Sequence, residues 1–139
     1  MAVYPTVNAE TAGYVLEHSD ASLVFVGKLD VWDEIEPGVP ESLPRVAFPL
    51  APEGSGPSWD EVTEGVEPIE GQPERGEDEV AIMVYTSGST GRPKGVMHAF
   101  GRMATATHGI VKTLEITPSE RMLSYLPLAH IFELSLIHI

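Results

Sequence analysis

Twelve consecutive residues, Tyr85-Thr86-Ser87-Gly88-Ser89-Thr90-Gly91-Arg92-Pro93-Lys94-Gly95-Val96, bring four small hydroxyls, three glycines and one lysine together directly after the apolar run Val80 to Val84. Those residue types suit the holding of phosphate. Glycines let successive backbone N–H groups turn inward, and small hydroxyls add further donors. Lys94 supplies a full positive charge to an anion held there. The following segment, Met97 to Leu114, is apolar at Met97, Phe100, Met103, Ala104, Val111 and Leu114, which predicts a helix. A helix starting at Met97 would set the loop near a helix N-terminus, where the macrodipole favours anions.

The spacing excludes the Walker type of phosphate loop. That motif needs its lysine directly after a glycine and a hydroxyl directly after the lysine. Here Arg92 and Pro93 separate Gly91 from Lys94, and Gly95 follows the lysine. Position by position, the run instead resembles the signature phosphate loop of the adenylate-forming enzymes: acyl-CoA synthetases, luciferases and the adenylation domains of peptide synthetases. A second stretch, Leu123-Ser124-Tyr125-Leu126-Pro127-Leu128-Ala129-His130-Ile131-Phe132-Glu133, is similar to the next block of that superfamily, in the form of its long-chain fatty acyl-CoA synthetase branch. Val3 to Thr6 and Tyr14 to Ser19 are similar to the same branch, where a helix leads into a strand. Between residues 28 and 79 the likeness is loose.

The resemblance implies a role for each residue. Thr86, Ser87, Ser89 and Thr90 would contact the β- and γ-phosphates of ATP. Gly88, Gly91 and Gly95 would allow close backbone approach. Lys94 would neutralise the departing pyrophosphate, and His130 would lie near the acyl and adenylate pocket. Phe132 is open between the acyl tunnel and the core, and Glu133 is a weaker site candidate. The implied reaction is attack of a fatty carboxylate on the α-phosphorus of ATP, then displacement of AMP by coenzyme A, with Mg2+ sharing the triphosphate charge. Arg92 is expected to face solvent. His98 and His108 are expected on the helix after the loop, too far apart in register for one metal.

Two alternatives stay open: an adenylate-forming ligase for an aryl or amino acid, and a non-catalytic nucleotide- or pyrophosphate-binding module.

Several elements would position these residues. Asn8 predicts an N-cap for a helix from Ala9 to Ser19, and Leu23 to Gly27 reads as a buried parallel strand. A short helix is expected around Val31 to Ile35, a strand over Arg45 to Leu50 and a short helix over Ser58 to Thr63. Residues 37 to 79 hold eight of the twelve prolines and read as a loop-rich, solvated excursion. Strand Val80 to Tyr85, the phosphate loop, the helix and a strand over Met122 to Leu126 then form the core unit, 80 to 133. Strands alternating with helices predict an α/β fold with a mostly parallel sheet. By resemblance, that is an incomplete part of the large N-terminal domain of the adenylate-forming fold. The family's later glutamate block, hinge and small C-terminal domain have no counterpart in the chain. Leu134 to Ile139 departs from the family pattern and is expected to be an artefactual tail.

Charge is unevenly spread. Residues 1 to 79 carry 18 acids against three bases, a net −15, whereas residues 80 to 139 carry five bases against three acids, a net +2. The acidic part argues against a nucleic-acid surface. The slightly basic part coincides with the phosphate loop. With no cysteine, there is no disulfide and no thiolate catalysis. No apolar run is long enough to span a membrane, and no basic, apolar leader opens the chain. These features predict a cytoplasmic protein acting on small molecules, with peripheral membrane contact left open.

Overall fold

The computed structural model describes residues 1–86, 91–121, 123–127, 129–131 and 133. The chain divides into two compact units, one of Pro5–Gln72 and one of Met1–Tyr4 with Pro73–Ile139. Ser87, Gly88, Ser89, Thr90 and Phe132 lie outside the described residues, as does the expected tail.

In the first unit, helix α1 (Ala9–His18) begins where Asn8 Oδ1 accepts the Thr11 N–H at 2.8 Å. This is the side-chain cap that asparagine provides to an otherwise unpaired donor. Ala12, Val15 and Leu16 form the buried stripe of α1. Strand β1 (Val24–Val26) follows and pairs in parallel with β2 (Arg45–Ala47), Val24 opposite Arg45 and Val26 opposite Ala47. Between them run α2 (Trp32–Ile35) and a 3-10 turn, Glu36–Gly38. Leu16, Val26, Trp32, Val39 and Leu43 make the core. Burial of each of these side chains contributes about 1.5–3 kcal/mol.

Two contacts tighten this unit. Arg45 Nη1 donates to Glu36 Oε1 at 2.7 Å, Nη2 donates to the Val39 carbonyl at 3.3 Å, and the guanidinium lies 5.6 Å from the Trp32 ring centroid. The second is a close backbone approach, in which α1 presses against the 3-10 turn at Gly38. Helix α3 (Trp59–Thr63) starts with a full capping box: Ser58 Oγ accepts the Glu61 N–H, and Glu61 Oε2 accepts the Ser58 N–H at 2.7 Å. The Ser58 N–H, and then its hydroxyl, hold the Glu61 carboxyl below its usual pKa. The rings of Phe25, Phe48 and Trp59 pack together, with centroids 5.0 to 6.2 Å apart.

The second unit is built on a hairpin. Strand β3 (Val80–Thr86) pairs antiparallel with β4 (Lys94–Ala99), in register from Thr86 opposite Lys94 to Ile82 opposite His98, with an irregularity between Val80 and Ile82. Helix α4 (Phe100–Thr113) follows directly. This corrects the expected helix from Met97. Val96, Met97 and Ala99 suit either element, and the ladder to β3 draws them into a strand. His98 is therefore on β4 beside Ile82, not on the helix, while His108 is exposed on α4. The strand expected over Met122 to Leu126 is not formed by residues 123–127. Leu123 and Tyr125 stand 78% and 73% exposed, with no ladder to hold them extended.

Candidate functional site

The phosphate-loop residues lie on one hairpin. Thr86 ends β3 and Lys94 begins β4, and the two are directly opposed. Opposed residues of an antiparallel pair project to the same face with Cβ atoms about 5 Å apart. Both side chains are exposed, so a hydroxyl and an ammonium stand together at the loop end of the hairpin. Among the described residues Lys94 has no ion-pair partner. The connection between them, 87–93, is longer than the two to five residues of most hairpin loops and has the length to pass around an anion.

Two glycines in the motif have separate structural reasons. Gly91 has φ +88°, a left-handed conformation that side-chain-bearing residues rarely adopt. Gly95 lies opposite Tyr85, on the other face of the ladder from Lys94. A Cβ there would fall 2.9 Å from Met83 Sδ and 3.2 Å from Tyr85 Cζ, so the absent side chain makes room for those two. Gly95→Val is expected to cost about 1–3 kcal/mol in denaturant unfolding. Gly95→Ala should cost less, because the Met83 side chain can turn aside. An unchanged midpoint for valine would show that the site has more room than this packing allows.

The helix dipole does not serve this loop. α4 begins at Phe100, at the far end of β4, and a strand of that length spans roughly 20 Å. Its first N–H groups are already used: Phe100 donates to the Glu79 carbonyl at 3.0 Å and Gly101 to the Glu77 carbonyl at 2.9 Å. Macrodipole effects fade within the first turn. Positive charge beside Thr86 at the loop end of the hairpin therefore comes from the Lys94 side chain rather than from a helix end.

His130 occupies a separate turn, where its N–H donates to the Pro127 carbonyl at 2.8 Å. It is exposed, and its neighbour Ala129 is buried. Glu133, ranked low from sequence, is only 1% exposed. Its Oε1 accepts from Ser124 Oγ, and its Oε2 accepts the Leu126 N–H at 3.3 Å. The available signal was a single carboxylate inside an apolar run, since a charge in such a setting has to be paired. Among the described residues no three His, Asp or Glu side chains come together in a way that could hold a metal ion.

Comparison with known proteins extends this geometry. Long chain acyl-CoA synthetase 4 of Arabidopsis thaliana is 28% identical over 151 aligned positions, which take in 94% of this chain and 22% of that protein. Long-chain-fatty-acid–CoA ligase 1 of Schizosaccharomyces pombe is 46% identical over 67 positions, 48% of this chain and 10% of the ligase. The chain thus spans about a fifth of the length of the first of these relatives. Among solved structures, ATP-bound MatB from Rhodopseudomonas palustris superposes with a TM-score of 0.75 at 24% identity, covering 97% of this chain and 26% of that one. This likeness shows a shared fold, the α/β N-terminal part of the adenylate-forming enzymes. The family described as AMP-binding enzyme matches residues 1–139 from end to end, and with the hydroxyl–glycine–lysine hairpin in place the chain belongs to that family.

Proposed function

We propose that this chain is the triphosphate-gripping part of a ligase that activates a long-chain fatty acid with ATP and passes it to coenzyme A. The observation that carries the proposal is the pairing of Thr86 with Lys94 at the loop end of the β3–β4 hairpin, in a motif with a left-handed Gly91. The names of the two curated relatives support the fatty-acid class.

In this reading a carboxylate oxygen of the fatty acid attacks the α-phosphorus of ATP, and the bond to the β-phosphate oxygen breaks. Pyrophosphate leaves, and negative charge builds on it during the step. We assign Lys94 to meet that charge, and an interaction that strengthens as charge develops lowers the barrier. Thr86, Ser87, Ser89 and Thr90 hold the β- and γ-phosphates, with Gly88, Gly91 and Gly95 allowing the backbone close. The coenzyme A thiolate then attacks the acyl carbonyl and AMP departs. His130 lines the pocket in which the acyl-adenylate forms. Residues 80–133 are the phosphate-loop core of this ligase, and 37–79 are a Pro/Gly/Glu-rich loop region, although its Val39 and Leu43 join the core of the first unit. No helix among the described residues is long and apolar enough to cross a membrane, which fits a cytoplasmic enzyme.

The experiment is product analysis with the intact protein that carries this chain. Given ATP and a long-chain fatty acid, it should release pyrophosphate and accumulate acyl-AMP, then form AMP and thioester once coenzyme A is added. Release of ADP and phosphate instead would refute the adenylation reading. Turnover with an aryl or amino acid but not a fatty acid would move the chain to another branch of the family.

A further inference from the structure

The geometry points to Glu133 as a positioning residue that sets the placement of His130. The stretch 123–130 contains no helix or strand among its described residues, so its backbone groups have no regular ladder to pair with. Glu133 supplies the missing partners. One carboxyl oxygen accepts from the Ser124 hydroxyl and the other accepts the Leu126 N–H, so a single buried group closes a loop from residue 124 to residue 133. Inside that loop lies the second closure, His130 N–H to the Pro127 carbonyl at 2.8 Å. Ala129 is buried, and His130 beside it is exposed.

Burial decides between a positioning role and an incidental one. A carboxyl group at 1% exposure is costly unless its oxygens are satisfied, and here two donors satisfy them. Both donors belong to the segment leading into the His130 turn. Loss of the carboxyl group therefore frees the Leu126 N–H and the Ser124 hydroxyl together and loosens the path on which His130 sits. Glu133 itself is enclosed and acts only through this path.

The inference rests on the reading of His130 as a residue of the acyl-adenylate pocket, and the test separates the two. Glu133→Ala, Glu133→Gln and His130→Ala are made singly, together with the Glu133→Ala/His130→Ala double variant, in the intact protein. Glu133→Ala should lower kcat for acyl-adenylate formation by about ten- to a hundredfold, as expected when a reacting geometry is displaced rather than abolished. KM for ATP should stay within about twofold, because the Lys94 hairpin is untouched. Amide hydrogen exchange at Leu126 and His130 should accelerate in the same variant. Glutamine can accept the Leu126 N–H through its oxygen and donate to Ser124 Oγ through its nitrogen. Glu133→Gln should therefore recover kcat to within about threefold of wild type. In the His130→Ala background, adding Glu133→Ala should slow the reaction by less than about twofold, since residues acting as a unit are not additive.

Four results overturn the inference. Glu133→Gln as slow as Glu133→Ala would mean that the charge itself is needed. Multiplying effects in the double variant would mean that Glu133 acts apart from His130. Faster Leu126 exchange with an unchanged kcat would leave Glu133 a loop tether without consequence for the reaction. A wild-type protein that makes no acyl-adenylate, with the exchange change still present, would sink the ligase reading and this inference with it.

Discussion

Lys94→Ala in the intact protein should slow adenylation by about a hundredfold or more, the usual loss when one charged or polar group facing a developing anion is removed. Fatty-acid binding should stay close to wild type. The backbone of Lys94 lies in the β3–β4 ladder opposite Thr86, so its main-chain pairing survives the truncation. The side chain is exposed and has no ion-pair partner among the described residues, so its removal leaves no carboxylate stranded. The loss would therefore report on the reaction rather than on folding. Because the pyrophosphate gains charge as it departs, the effect should fall mainly on kcat, with a smaller rise in KM for ATP. Lys94→Arg should restore part of the rate, since the charge remains but the planar fork cannot reproduce a compact ammonium. Lys112→Ala, in the last turn of α4, controls for net charge and should leave the rate unchanged. A rate unaffected by Lys94→Ala would remove this residue from the site. Equal losses in fatty-acid binding and adenylation would assign it a general structural role.

The elements that sequence reading placed well are those with local signals. α1 begins after Asn8 because that side chain caps it, and α3 begins after Ser58 for the same physical reason. The runs at Val24 and Arg45 became short parallel strands, each with one buried residue, Val26 and Val46. Lys94 to Ala99 had no such signal. Val96 and Met97 fit the stripe of the helix that follows, and only the distant partners Val84 and Met83 decide for a strand. Pairing across a long connection is invisible to a local window. The same limit applies at the site. The motif marks Gly91 and Lys94 as candidates, whereas the grip of Glu133 on Ser124 and Leu126 joins residues nine and seven positions apart through an irregular loop. The contact between Gly38 and Ala9 is a third case: nothing in either residue's neighbourhood announces that two backbones meet there.

Gly38→Ala should be among the most damaging small substitutions in the Pro5–Gln72 unit. A Cβ at position 38 would sit 2.6 Å from the carbonyl carbon of Ala9, 2.8 Å from its Cα, and closer still to its carbonyl oxygen. No rotamer relieves this clash, because every atom involved is backbone or fixed to it. The 3-10 turn and the first turn of α1 must therefore move apart. Gly13, one turn along α1, faces the Gly38 carbonyl, and a Cβ there would lie 2.9 Å from that oxygen, so separation at one point opens the whole contact. Val39 follows the turn directly and Leu16 lies on α1, and both belong to the core that would loosen with them. Overpacking of this kind costs about 1–3 kcal/mol and at times more, and this clash, falling on backbone alone, should reach the upper end of that range. Hydrogen exchange gives the local readout: amides held by α1, such as Ser19 and Ala21, should lose protection. Gly27→Ala is the matched control, since a Cβ there meets nothing within 4 Å. If Gly38→Ala exchanges no faster than Gly27→Ala, the close approach of α1 to the turn does not hold this unit together. A large difference would show that a glycine with no part in phosphate binding fixes the scaffold of its unit.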